Sequence, residues 1–366
     1  MFETVLFDID GVMLSEERYF DASALTVHEL LTSNRFMGLQ SVSPVFGTDP
    51  TDEVIHQIRR DVFQNDGVLE RLKNVGVNAN WDMVYLVFVS ELAAVLRRLE
   101  ESSRTSEQVQ DAISHGWTAT ALQRIGEIAR TYFGGSEYRV EWGTYDAIYR
   151  NATSKQDLFE AAKAVLPPSD DHELWLLCQS TFQEWYLGDA YSGKQAGKKG
   201  FLTNEIPIVE AEALGGLLRH LKESGVHLGV ATGRPQTETE VPLQHFGWWS
   251  YFDTANVSTA TNVMEAEARV PSARPLSKPN PYSYLRSLTG LDDPEELLAT
   301  RVPLEGYRQK VLIVGDSIAD ALAAQRLGVS FAAVLTGLEG KEARSKFEKL
   351  NVDYIFDTVL DVNTLF

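Results

Sequence analysis

"TVLFDIDGVML", residues 4–14, runs an apolar segment straight into two aspartates, Asp8 and Asp10, and then into Gly11. A short apolar run bounded by turn residues reads as a strand buried on both faces. Solvation of a surface does not explain negative charge gathered where such a strand ends. Four later runs have the same character: "VHLGVAT" (226–232), "KVLIVGD" (310–316), "SFAAVLT" (330–336) and "DYIFD" (353–357). Between them lie helix-like segments, "EALGGLLRHLKESG" (212–225) and "IADALAAQRLG" (318–328), each closed by a glycine suited to a helix C-terminus. Strands alternating with helices predict an α/β fold, a doubly wound parallel sheet covered by helices on both faces.

The segment from about residue 15 to 205 reads differently. Helical periodicity runs through "ASALTVHELL", "TDEVIHQIRRDVF", "WDMVYLVFVSELAAVLRRL", "ATALQRIGEIARTYF", "SKQDLFEAAKAVL" and "DHELWLLCQSTFQEWYL". The polar stretch "EESSRTSEQVQD" (100–111) reads as a loop among them, and no repeat of fixed period is present. The expected organisation is a core of residues 1–14 and 206–366, split after its first strand by a mostly α-helical domain at 15–205. A chain of 366 residues is long for a single core, which agrees with two domains. "WDMVYLVFVSELAAVL" is apolar nearly all round, so it is expected to be the central helix of the insertion rather than a dimer surface.

The totals exclude several function classes. Hydrophobic residues at 44% and charged residues at 23% are ordinary for a globular chain and argue against disorder. The net charge of −19 repels nucleic acid and anionic membrane, so neither is an expected partner. It also repels a phosphorylated metabolite, so a site for one needs local positive charge from metal or lysine. A single cysteine, Cys178, excludes an internal disulfide and a Cys-rich zinc module. With no basic or apolar leader before the first strand and no run long enough to span a bilayer, a cytoplasmic location is expected.

Three of the strand-like runs end in a functional group: Asp8 and Asp10 after the first, Thr232 in "GVATGR", and Asp316 in "LIVGDS". In open parallel sheets the strand C-termini meet along one edge, where ligands bind, so groups over two hundred residues apart in sequence are brought together. Lys278 sits in the proline-bracketed "LSKPNPY", and Asp320 follows Asp316 by one helical turn. Four segments in this order, Asp8-Ile-Asp10-Gly11, Thr232-Gly233-Arg234, Lys278-Pro279 and Gly315-Asp316-Ser317-Ile-Ala-Asp320, resemble the motifs of the haloacid dehalogenase superfamily of phosphohydrolases. The resemblance covers about half the chain and implies a Rossmann-like core with a helical cap inserted after the first motif. It implies Asp8 as nucleophile, Asp10 as acid/base, and Mg2+ held by Asp8, Asp10 (through its backbone carbonyl), Asp316 and Asp320, the last as ligand or supporting partner.

The chemistry asks independently for the same residue types. A carboxylate such as Asp8 can attack a phosphate ester in line and form an aspartyl phosphate, splitting one hard step into two. A second carboxyl two residues on, Asp10, can reach the leaving oxygen and later take a proton from water. Magnesium relieves the mutual repulsion of clustered acids. Lys278 adds fixed positive charge against the transferring phosphoryl, while the Thr232 hydroxyl and the Gly233 amide can hold a phosphoryl oxygen.

Each motif has a plainer reading. Asp-x-Asp-Gly after a strand also makes a turn, and "GDS" with Asp320 also makes a helix N-terminus; it is the four in order that carry the resemblance. A calcium loop is excluded by Met13 and Leu14, and "GDAYSGKQ" (188–195) fails as a phosphate loop at Gln195. Lys194, Lys198 and Lys199 crowd one acidic-chain loop, read first as solvated and second as a recruiter of anions. Capped phosphatase and sugar-phosphomutase branches continue the first motif with Asp and then Ser or Thr, where this chain has Ser15 and Glu16. The expected activity is therefore hydrolysis of a small phosphomonoester of unassigned identity. The alternatives are a sugar phosphomutase and a non-catalytic binding or regulatory protein on the same fold; the oligomeric state is left open.

Overall fold

Thr4–Phe7 forms strand β1 at the middle of a six-stranded sheet. The remaining strands are His227–Ala231 (β2), Val257–Ser258 (β3), Val311–Gly315 (β4), Ser330–Val334 (β5) and Tyr354–Phe356 (β6). Their order is β3-β2-β1-β4-β5-β6, and every pairing is parallel. These are elements of a computed structural model that describes residues 2–77, 79–134, 139–140, 142–168 and 171–366.

Alternation along the strands builds two cores. Val5 and Phe7 of β1, with Leu228, Val230, Leu312 and Val314, face the helix Ala211–Glu223 through its Leu214, Leu218 and Leu221. Leu6, Ala231, Ile313 and Phe331 face the other way, onto Tyr284 and Leu285 of the helix Tyr282–Thr289 and Ala321 and Ala324 of the helix Ile318–Leu327. Strands buried on both sides have no polar face to alternate, which is why they read as continuous apolar runs. The expected doubly wound parallel sheet is the observed one.

The register places Thr4 opposite both His227 and Val311, and Phe7 opposite both Val230 and Val314. All three central strands therefore end together. From β1 the chain continues to β2 and β3 on one side and then crosses to β4 on the other. Such a reversal opens a crevice at the carboxyl ends of the flanking strands.

The chain divides into two compact units, Met1–Glu16 with Leu202–Phe366, and Glu17–Phe201. In the second unit Glu17–Thr32 (α1), Asn80–Glu100 (α2) and His172–Ser192 (α3) pack mutually. Helix α2 is buried along most of its length, from Asp82 through Ala93, so its apolar surface belongs to the interior of this unit. One expectation is corrected here: residues 100–111 are not simply a loop, because Ser103–Ala112 is helical. Its buried face consists of Thr105, Val109 and Ala112. With one strongly apolar residue among them, the periodic signal is too thin to read.

Helix α3 breaks at Gly188, whose φ is +66° and whose backbone lies against Lys199 and Gly200; a Cβ at Gly188 or Gly200 would collide with main chain. The Asp189 carboxylate then accepts from the N–H groups of Ala196 and Gly197 at 3.0 and 2.8 Å. The phosphate-loop-like stretch thus wraps its own carboxylate. No helix among the described residues is long and apolar enough to cross a membrane.

Candidate active site

Asp8 follows β1 directly and donates its N–H to the Val314 carbonyl at 2.9 Å, prolonging the sheet by one residue. Asp316 follows β4 and Thr232 follows β2, so the register brings their backbones to the same edge. Gly11 has φ +69°, and a Cβ there would collide with the Asp316 carboxylate, as would one at Gly337. The loop after β1 can close over Asp316 only because these two positions carry no side chain. Thr336 donates its hydroxyl to the Gly11 carbonyl at 2.6 Å and fixes that loop.

Oxygens of Asp8, Asp316 and Asp320 lie within 4.8 Å of one another. Lys278 Nζ sits 2.9 Å from Asp8 Oδ1 and 2.9 Å from Asp320 Oδ1. One ammonium is thus shared between two carboxylates and offsets only one of their charges. Asp320 is fully buried and engaged at both oxygens: Oδ1 accepts from the Tyr284 hydroxyl at 2.8 Å, and Oδ2 from the Ser317 hydroxyl at 2.6 Å. Ser317 and Asp320 also form a reciprocal cap on the helix Ile318–Leu327. The plainer helix-cap reading and the site reading of this acid are therefore both true.

The electrostatics follow from three carboxylates facing one ammonium. Burial pushes Asp8 up to about 7; Lys278 opposes this, while Asp320 and Asp10 add to it. Asp316 lies well above the usual carboxylate range, through desolvation first and then the charges of Asp320, Asp8 and Glu16. Asp320 goes the other way: burial would raise it, but Lys278 and the hydrogen bonds from Ser317 and Tyr284 outweigh burial and hold it low. Lys278 is likewise shifted up, the two carboxylates overcoming its own desolvation. With all acids ionised the group carries two uncompensated negative charges, a deficit that a divalent cation matches.

Asp10 is placed differently from Asp8. The sequence reading wants it as a proton donor and foresees no cation beside it, yet Arg234 donates to its Oδ1 from Nε at 2.9 Å and from Nη2 at 2.6 Å. Arg234 in turn donates from Nη1 to Glu205 at 2.7 Å. The Thr232 hydroxyl oxygen accepts from the Arg234 N–H at 3.1 Å, which leaves its proton to donate elsewhere. Gly233 is exposed, and the space where its side chain would be is open.

Sequence reasoning missed roles for Arg234, Glu205, Tyr284, Thr336 and Gly337. Arg234 stood inside a quoted motif and was its readable signal; the others are ordinary residues that only folding brings to the acids. Of the loop lysines, Lys194 and Lys199 are exposed as first read, and Lys198 is the correction. Lys198 is neither solvated nor free to recruit an anion: it is buried and bonded to Glu29 at 2.6 Å and Glu184 at 3.1 Å, while Lys199 pairs with Asp49 at the surface.

A family model for haloacid dehalogenase-like hydrolases matches residues 208–334. An X-ray structure from a structural genomics consortium, whose description names no function, is 35% identical, with a TM-score of 0.86 over 99% of this chain and 98% of that one. The chain belongs to the haloacid dehalogenase superfamily. More distant structures include a Bacteroides fragilis protein described as a haloacid dehalogenase-like hydrolase (15% identity, TM-score 0.43, covering 99% of this chain and 100% of that one). Another is a predicted phosphoglycolate phosphatase from Haemophilus somnus (15%, TM-score 0.39, 100% and 97%). None of the curated proteins compared with the chain matches it. The chain carries a residue set fit for the superfamily's metal, by the chemistry of its donors. Asp8 and Asp316 offer hard oxygens in a pocket short of positive charge. Asp320, already engaged at both oxygens, has less to give an ion directly and more to do in holding Lys278.

Proposed function

We propose that this chain is a magnesium-dependent hydrolase of a small phosphomonoester, acting through an aspartyl phosphate on Asp8. The observation that carries the reading is the pairing of Asp8, Asp316 and Asp320 within 4.8 Å with a single ammonium, Lys278, against two of them. Asp8 and Asp316 would hold the ion, with the Asp10 carbonyl and, at closest as a supporting group, Asp320. Bound there, Mg2+ supplies the charge that neutralises the acids and draws electron density from the phosphoryl oxygens.

The side chains divide the remaining work. An Asp8 oxygen attacks phosphorus as the bond to the leaving oxygen breaks, and Asp10 gives that oxygen a proton. Water then attacks the phosphorus of the aspartyl phosphate, Asp10 takes its proton, and inorganic phosphate leaves Asp8. Lys278, the Thr232 hydroxyl and the Gly233 amide bind the equatorial oxygens, where charge stabilisation does most of the catalysis. In this reading the helical cap, Glu17–Phe201, governs which ester is accepted.

The test is release of inorganic phosphate from a panel of phosphorylated metabolites and aryl phosphates, with Mg2+ and with chelator. Turnover that requires Mg2+ and is lost in Asp8→Asn supports the reading. A folded enzyme that releases phosphate from no member of the panel refutes it, and sugar-phosphate isomers formed without free phosphate replace it by a phosphomutase.

A further inference from the structure

Asp10 is gripped at one oxygen. Both donors of Arg234 converge on Oδ1, so Oδ2 is not engaged by the guanidinium. Arg234 itself is 1% exposed and Glu205 0%, whereas the Asp10 side chain is 28% exposed. The guanidinium is fixed from several directions. Nη1 donates to Glu205 at 2.7 Å and to the Glu238 carbonyl at 3.4 Å, and its backbone N–H is bonded to Thr232. Two donors of a fixed guanidinium converging on one oxygen set the position of Oδ1 and leave Oδ2 outside the grip.

Glu205 is set by the chain path. It lies where the polypeptide re-enters the core, on a segment that pairs with the outgoing one: Ser15 donates to the Ile206 carbonyl at 2.8 Å and Ile208 to the Met13 carbonyl at 3.0 Å. A surface turn at the end of β1 needs no buried arginine. A buried arginine carries a desolvation cost that two carboxylates offset only in good geometry.

We infer that Arg234, braced by Glu205, is a positioning residue that clamps Oδ1 of Asp10 so that Oδ2 faces the reacting atoms. The inference rests on the phosphatase reading above. In the first half-reaction the Oδ2 proton passes to the ester oxygen as the P–O bond breaks and that oxygen takes the electron pair, leaving as an alcohol or phenol. In the second, Oδ2 recovers a proton from the attacking water.

The experiment measures kcat/KM, which reports the first transfer, for substituted phenyl phosphates from 4-nitrophenyl to unsubstituted phenyl phosphate in the presence of Mg2+. The 4-nitrophenolate needs little help from a proton, and phenolate needs much more. Arg234→Met should lose roughly tenfold more on phenyl phosphate than on 4-nitrophenyl phosphate, with Arg234→Lys intermediate. In an Asp10→Asn background, adding Arg234→Lys should cost nothing further, because the group it positions is gone. If Arg234→Met does not fold, having lost the buried ion pair with Glu205, the lysine variant and the double mutant decide the matter. Equal losses across the series, or an additive loss in the Asp10→Asn background, overturn the inference while leaving the phosphatase reading intact. A folded wild-type enzyme inactive on the whole series removes both.

Discussion

Two groups of charge stand in the two units, and they differ in balance. In the helical cap, Lys198 and Arg35 face Glu29 and Glu184, two cations to two acids, with the Lys198 ammonium also over the Trp185 ring at 4.6 Å. At the sheet edge, three acids face one lysine. Their acids respond accordingly. Burial would raise Glu184, yet Arg35 and Lys198 hold it below its ordinary range, whereas Asp8 and Asp316 are driven up. A balanced cluster is complete as it folds, here with Lys198 buried and Arg35 at the surface. An unbalanced one has a use for a charge that the chain does not supply.

The sharpest way to break this comparison is Asp8→Asn. It should reduce phosphate release on the order of 10⁴-fold or more, while thermal unfolding shows no loss of stability, since a crowded carboxylate has been removed. The opposite pattern is expected in the balanced cluster. Lys198→Met removes the buried cation between Glu29 and Glu184, leaving them only the exposed Arg35, and should lower stability by about 3 kcal/mol, read from the urea midpoint. Lys278→Met should destabilise less, because Asp8, already pushed up to about 7, can take a proton when its partner is lost.

Magnesium probes the deficit directly. At a concentration about 100-fold above its dissociation constant it should stabilise the wild-type protein by about 2.7 kcal/mol, seen as a raised Tm. Asp316→Asn should abolish most of that shift, and a metal response unchanged in this variant would contradict the charge-deficit account. The smallest effect concerns a third arrangement, an acid in the cap with hydrogen bonds and, among the described residues, no cation partner. Glu91 is 3% exposed, and burial raises it to about 7 despite bonds from Thr144 and Gly143. Because the folded state holds its proton more tightly, this acid's contribution is intact below its unfolded value near 4.5 and is lost as pH rises toward 7. Glu91→Gln should therefore gain roughly 1–2 kcal/mol over wild type on going from pH 5 to pH 8, in paired Tm measurements.

How much was legible varies by residue in a physically consistent way. Asp8, Thr232 and Asp316 announce themselves because each ends a buried strand, and parallel strands deliver their ends to one edge. Lys198 misleads because a lysine among lysines looks solvated. Only the close return of residues 198–200 onto α3 at Gly188 buries it between Glu29 and Glu184. Ser103–Ala112 was unreadable as a helix because a face with little apolar surface leaves almost no periodic trace.

The sequence by itself determined the sheet, its parallel direction, the helical insertion and the set of acids at the strand ends, since hydrophobic periodicity and turn residues are local and act before distant parts meet. Only the tertiary structure decided the partners: Arg234 on Asp10, Glu205 behind Arg234, Tyr284 and Lys278 on Asp320, Gly337 against Asp316. Charge pairing depends on distances between segments remote along the chain, and no local pattern records which opposite charge the fold will bring within reach.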